Sequence, residues 1–443
     1  MASEWSMTTL ADGPLEIIDG DRGKNYPKQG EFASSGQCLF LNAGNVTTGG
    51  FNFSDCAFIS AEKDAALHKG KLRRYDIVLT TRGTVGNVAY FDNSIPYDHI
   101  RINSGMVIFR ARAQELRPRF LYLFLRSSLF REQVESLRTG SAQPQLPIKD
   151  INRVEFPIPP LDDQDAIAHI LGALDDKILL NQRMNETLEA MARALFKSWF
   201  VDFDPIRAKA ESRDPGLPKP LASLFPDSFE ESEMGDIPKG WRIRPFAETV
   251  EIFGGGTPKT AKPEYWNGDI PWFSVVDAPR DADVWVVDSE KKITQAGVES
   301  SSTKVLPEGT TIITARGTVG RIALVGVPMA MNQSCYGLRG KIRAKGSFTY
   351  FMTRKIVSAL KQSAHGSVFD TITRDSLAGV SVVEPPDALI ELFEQRVDST
   401  LERIRACLLE SRTLASLRDA LLPKLISGDL QLPDVRRIVG GDM

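Results

Sequence analysis

The pentapeptide Arg-Gly-Thr-Val-Gly occurs at Arg82–Gly86 and again at Arg316–Gly320, each time closing a β-branched run (RYDIVLTTRG and EGTTIITARG). An arginine at a glycine-bounded corner can grip a phosphate or address guanine O6 and N7 with both arms of its guanidinium. The alternative is a corner whose glycines set the turn and whose arginine closes a salt bridge. Thr84 and Thr318 offer hydroxyls to the same phosphates. Gln143 and Gln145, in GSAQPQ with Ser141, carry the paired donor and acceptor that suit adenine. A similar stretch further on, HGSVF, keeps Ser367 but has Val368 and Phe369. Asn103, and the run Asn332-Gln333-Ser334, are candidate base readers or simple turns. Lys259, Lys262 and Tyr265, beside Trp266, put basic and aromatic groups in one loop, as a groove edge requires, whereas Trp272 is expected in a core.

Catalytic patterns fail when tested. GGGTPKT (Gly254–Thr260) has Pro258 where a phosphate-wrapping loop needs glycine before its lysine. Glu290-x-Lys292 is a fragment of a nuclease pattern that a solvated strand end also produces. The four histidines, His68, His99, His169 and His365, have no metal spacing, and there is no G-x-S-x-G elbow or methionine-cofactor loop. We therefore expect a chain without catalytic residues, metal or cofactor of its own.

The residues that could bind DNA sit in a suitable electrostatic setting. Net charge is −3, yet Lys63–Arg153 carries 16 Lys/Arg against 8 Asp/Glu, and Lys291–Arg374 carries 13 against 3. Two basic regions on an acidic frame are what phosphate binding at two places needs. Cys38, Cys56, Cys335 and Cys407 form no C-x-x-C pair, which fits a reducing cytoplasm better than a disulfide frame. There is no run of about 18 apolar residues and no signal-peptide profile, so a soluble cytoplasmic protein is expected.

The elements that must position these groups are themselves duplicated. Trp5 and Leu10 match Trp241 and Phe246, 236 residues on; Arg82 matches Arg316, 234 on; Asn103 matches Asn332, 229 on. TGSAQ (139–143) matches HGSVF (365–369), and from there the offset holds at 226 through a long helical stretch. Each half reads as short strands interrupted by one helix, Pro118–Leu137 or Phe348–Gln362, an α+β mixture. After a Pro-Pro stop, with Asp162 or Asp163 as cap, Leu171, Leu174, Ile178, Leu188 and Leu195 fall at coiled-coil spacing. Val397, Leu401, Ile404 and Leu408 repeat the stripe in the second half, which ends at Ser427-Gly428. Asn181 and Asn185 interrupt it, as register-fixing polar residues do. Such a helix needs a partner, and the other copy supplies one.

Read together, FPIPPLDDQDAIAHILGALDDKI, LFKSWFVDFDP, MGDIPKGW and GGGTPKTAKPEYWNGDIPWFSV make the chain resemble the specificity subunits of type I restriction–modification enzymes over nearly its whole length. The resemblance implies an α+β fold with two similar target-recognition domains, mixed strands and short helices, joined and separated by two long antiparallel coiled-coil helices. It implies domains at 1–160 and 241–386, helices at 161–200 and 387–428, a linker at 201–240 and a tail at 429–443. It also implies double-stranded DNA, two modification subunits and restriction/translocase subunits as partners. S-adenosylmethionine would be held by the modification subunit, and ATP with Mg by the restriction subunit. The first half departs from the pattern, with SEW and DGDRGKNYPKQGEF in place of the Gly-Trp opening and the GGGTP loop. A stand-alone DNA-binding regulator or an interaction scaffold is the alternative.

Overall fold

The computed structural model describes residues 5–137, 145–279, 281–341, 346–363, 371–426, 428 and 430. The chain divides into two units, Met1–Lys177 with Thr413–Met443, and Ile178–Arg412.

The first unit contains strands β1 (Ser6–Thr9), β2 (Leu15–Asp19), β3 (Cys38–Phe40), β4 (Ile77–Thr80), β5 (Val88–Tyr90), β6 (Ile100–Arg101) and β7 (Met106–Ala111). Helices α1 (Pro118–Arg126) and α2 (Ser128–Leu137) follow, then β8 (Glu155–Ile158) and the start of α3 (Leu161–Phe200). β2, β7, β4 and β5 form an antiparallel sheet in that order. β3 pairs in parallel with β6, and β1 pairs with β8. Both faces of the larger sheet are covered. Ile77, Leu79, Val107 and Phe109 pack toward α1, α2 and the long helices, and Val78, Ala89 and Ile108 pack on Leu39 and Val46. Two-sided burial is why β4 reads Ile-Val-Leu-Thr without polar alternation.

The second unit holds β9 (Arg242–Pro245), β10 (Val250–Gly254), β11 (Trp266–Phe273), β12 (Trp285–Val286), β13 (Thr311–Thr314), β14 (Ile322–Val325), β15 (Ala330–Met331) and β16 (Cys335–Gly340). They are followed by α4 (Ser347–Ser363), β17 (Ser381–Glu384) and α5 (Asp387–Ile426). Its main sheet runs β10-β16-β13-β14-β12. Residues 201–240 carry structure of their own, a helix at Asp204–Ala210 and a short hairpin, and bury Ile206, Leu221, Phe225 and Ile237 in this unit's core.

The two units share strand register. Ser6 faces Ile158 as Arg242 faces Glu384; Thr80 faces Met106 as Thr314 faces Cys335; Leu39 faces Ile100 as Trp272 faces Ala330. Every offset read from the repeat (236, 234, 229 and 226 residues) reappears in these pairings.

Two expectations need correcting. The helix expected over 118–137 is two helices, because Ser127 takes an extended backbone (ψ 162°). Its hydroxyl donates to the Phe124 carbonyl at 2.6 Å and accepts from the Phe130 amide at 3.1 Å, so one side chain closes α1 and caps α2. A second correction lies at the start of α3, where the Pro160 carbonyl accepts from the Asp163 and Gln164 amides. Asp162 and Asp163 therefore sit inside the first turn, where their charge meets the positive helix end.

Helices α3 and α5 have 40 residues each, about 60 Å of helix. In the first unit Ile167, Leu171 and Leu174 of α3 share a core with Leu421, Leu422 and Leu425 of α5, and Arg418 donates to Asp175 at 2.6 Å. In the second, Ala192, Phe196 and Trp199 share a core with Phe393, Val397, Leu401 and Ile404, and Asn181 Nδ2 donates to Glu410 Oε2 at 2.8 Å. Early residues of one helix meet late residues of the other, so the pairing is antiparallel in each unit. Ile178, Leu188, Leu195 and Leu408 are half-buried on the same helices.

Candidate nucleic-acid interface

Each arginine corner is a hairpin turn, β4–β5 in the first unit and β13–β14 in the second. Four backbone angles impose glycine there: φ is +74° at Gly83, +95° at Gly86, +78° at Gly317 and +76° at Gly320. A threonine at the strand end locks each turn from inside. Thr80 Oγ1 donates to the Thr84 carbonyl and accepts from the Asn87 amide; Thr314 Oγ1 donates to the Thr318 carbonyl at 2.5 Å and accepts from the Arg321 amide at 2.9 Å. The outcome is an exposed tip, Arg82-Gly83-Thr84 or Arg316-Gly317-Thr318. Among the described residues neither guanidinium has a salt-bridge partner, so each positive charge faces solvent.

The remaining candidates assemble around these corners. Asn103 Oδ1 accepts from the Gly105 amide at 2.8 Å, and Asn332 Oδ1 accepts from the Ser334 amide at 3.0 Å. Both asparagines thus stabilise turns, and the turns bond to the corners: the Gly105 carbonyl accepts from the Thr81 and Arg82 amides, and the Ser334 carbonyl from Ala315. Gln145 bridges Arg82, and Thr371 bridges Arg316, in the same antiparallel manner. Ser141, Gln143 and Ser367 lie outside the described residues. Gln333 is exposed, and its Oε1 accepts from the Thr257 hydroxyl. Lys259 is exposed and its carbonyl accepts from the Trp266 indole at 3.3 Å. Lys262 and Tyr265 lie further along and are not joined to the corner: Lys262 pairs with Glu264 at 3.4 Å, and the Tyr265 carbonyl accepts from Thr294. Trp272 is buried, its indole donating to the Gly256 carbonyl at 3.0 Å.

The structure gives a physical reason why DGDRGK stands in place of the GGGTP loop in the first half. A β-carbon on Gly20 would stand 2.3 Å from the Asn103 carbonyl oxygen, and one on Gly255 would stand 1.9 Å from that of Asn332. Both positions admit only glycine, for the same close approach. Asp21-Arg22-Gly23-Lys24 therefore occupies the place of Gly256-Thr257-Pro258-Lys259. This brings Arg22 to the first corner, where its Nη2 donates to the Ser104 carbonyl at 3.3 Å and pairs with Asp19 at 3.1 Å. Hydrogen bonds from the Gly23 and His68 amides hold the neighbouring Asp21 carboxyl below the usual carboxylate range. The available signal was the 235-residue offset that aligns DGDRGK with GGGTPK.

Each unit thus presents an exposed arginine, a hydroxyl, an asparagine-stabilised turn and a further cation at one strand edge. That is chemistry for a polyanion bearing hydrogen-bonding edges. Among the described residues no group of three or more His, Cys, Asp or Glu could hold a metal ion. No described helix is long and apolar enough to cross a membrane.

Residues 3–190 and 238–396 match the family described as the type I restriction modification DNA specificity domain. The chain is 25% identical, over 93% of its length and 98% of the relative's, to the type I restriction enzyme HindI specificity subunit of Haemophilus influenzae. It is 24% identical, over 81% of its length and 78% of the relative's, to the MjaIX specificity subunit of Methanocaldococcus jannaschii. The crystal structure of a type I restriction–modification S subunit from M. genitalium is similar with a TM-score of 0.53 at 15% identity, over 95% of this chain and 96% of that one. The two share a fold.

Proposed function

The chain belongs to the type I restriction–modification DNA specificity family, and from that premise we propose that it reads a bipartite DNA site with one domain per half-site. The recognition domains are 1–160 and 241–386, the long helices 161–200 and 387–428, the connecting segment 201–240 and the tail 429–443. The chain is the non-catalytic recognition subunit of a cytoplasmic complex. Two modification subunits dock on the helices and methylate adenine N6 with S-adenosylmethionine; restriction subunits use ATP and Mg. The family match weighs against a stand-alone regulator or a scaffold.

The observation that carries this reading is the pair of exposed arginine corners, without a salt-bridge partner among the described residues, on matching frameworks. Arg82, Thr84, Arg316 and Thr318 face the duplex, with Arg22 joining the first half and Lys259 the second. The test is binding by the assembled complex as a function of salt. Arg82→Ala and Arg316→Ala should each weaken specific binding; the loss of a phosphate contact lowers the log–log salt slope by about 1, while the loss of a guanine contact costs about 1–3 kcal/mol at one base pair. Unchanged affinity, slope and preference in both variants would remove the corners from the interface.

A further inference from the structure

Beside each arginine corner lies a second small turn. In the second unit it is Val275–Asp277, capped by Ser274; in the first it is Ala43–Asn45, capped by Asn42. A methyl built on Gly317 would touch both γ-carbons of Val275 at 3.9 Å, and one built on Gly83 would touch Ala43 Cβ at 3.8 Å, so each turn rests on its corner at the matching point. Side chains fix both turns. Asp277 accepts from the Ser274 amide at 2.7 Å, its hydroxyl at 2.8 Å and the Glu290 amide at 2.7 Å. Asn45, itself buried, accepts from the Asn42 amide at 2.9 Å and donates to the carbonyls of Asn52 and Asp55. The strand leading into the second turn is also tied to the asparagine turn, the Phe273 carbonyl accepting from Asn332 at 2.9 Å.

The two turns differ at the tip. Val276 is 74% exposed, the highest value among the exposed large apolar side chains, and the first unit has Gly44 there. Val276 is thus a branched apolar side chain standing in solvent on a turn that rests against the Arg316–Thr318 corner. Its branch at Cβ restricts it to few rotamers, so little side-chain freedom is lost when it is covered. The one apolar feature that a base pair displays in the major groove is the C5-methyl group of thymine.

We infer that Val276 is a specificity-determining residue that contacts a thymine methyl in the half-site bound by the second unit, whereas the first unit, with Gly44, makes no such contact. The inference rests on the reading that the arginine corners face DNA. It is tested with the full chain assembled with its modification subunits and with duplexes in which each thymine of the split site is replaced singly by deoxyuridine, which removes the methyl alone. The wild-type complex should lose about fourfold in affinity at one thymine of one half-site, the factor one buried methyl group commands. Val276→Ala should bind the thymine and uracil duplexes equally at that position and melt at the wild-type temperature, since the side chain is exposed. Indifference of the wild type to every replacement, a second-unit half-site without an A·T pair, or undiminished discrimination by Val276→Ala would overturn the inference while the split-site reading stood. Absence of any sequence-specific binding by the wild-type complex would overturn that reading, and the inference with it.

Discussion

The corner glycines set what the arginines can do, because an L side chain in the left-handed region costs about 1–2 kcal/mol. Gly317→Ala, at φ +78°, should lower the stability of the second unit by about that amount, measured by denaturant unfolding. Gly255→Ala should be far worse: its β-carbon would overlap the Asn332 carbonyl oxygen at 1.9 Å, and backbone cannot swing aside as a long side chain can. Recovery of soluble, folded protein is the readout. Two cysteines make a pH prediction. Burial pushes the Cys38 and Cys335 thiols up to about 12 from an ordinary 9.0. The folded chain keeps these protons where the unfolded chain has released them, so stability is full below pH 9 and falls as pH rises from 9 toward 12. Neither thiol should react with a disulfide reagent at pH 8 until the protein unfolds, whereas the half-buried Cys56 should. At this scale the corners were legible because the same five residues are written twice. The alignment of DGDRGK with GGGTPK was legible from the offset, but the place of Arg22 at the corner and of the Val275–Asp277 turn beside it was not, since the approaches of Gly20 to Asn103 and of Gly317 to Val275 join residues far apart in sequence.

Among the elements, the ends of α3, α4 and α5 in the second unit converge on Phe393. Its ring lies 5.3 Å from Phe200, 5.7 Å from Phe196 and 6.0 Å from Phe351. Phe393→Ala should cost about 3–5 kcal/mol of that unit's stability, a loss calorimetry would resolve. In the first unit Asp175 accepts from Arg126 at 3.0 Å and from Arg418 at 2.6 Å, tying α1 and α5 to α3. Its removal leaves two poorly solvated guanidiniums, and Asp175→Ala should cost about 2 kcal/mol, below the fully buried case because all three groups retain some exposure. The apolar stripes of α3 and α5 were readable from spacing alone. The break at Ser127 was not: the hydrophobic pattern of 118–137 continues through it, and a single hydroxyl that can serve both helix ends decides the local geometry.

For the whole chain, the repeated framework was legible because its offsets drift only where loops differ, and strand register follows those offsets. The compositional reading of 201–240 as linker saw its prolines and acids but not Ile206, Phe225 and Ile237, whose spacing matches no single element. In the proposed reading, with one domain per half-site, the length of α3 and α5 sets the gap between half-sites. Deleting one heptad from both α3 and α5 should therefore shorten the gap between half-sites or abolish recognition, while loss of the same length from the tail should not. The central claim is tested most directly by expressing the chain with its modification subunit in a methylation-free host and mapping N6-methyladenine across the genome, with the chain omitted as control. The account predicts a split motif of fixed gap, methylated only when both chains are present. Methylation at the same sites without this chain, or at an unsplit motif, would contradict it.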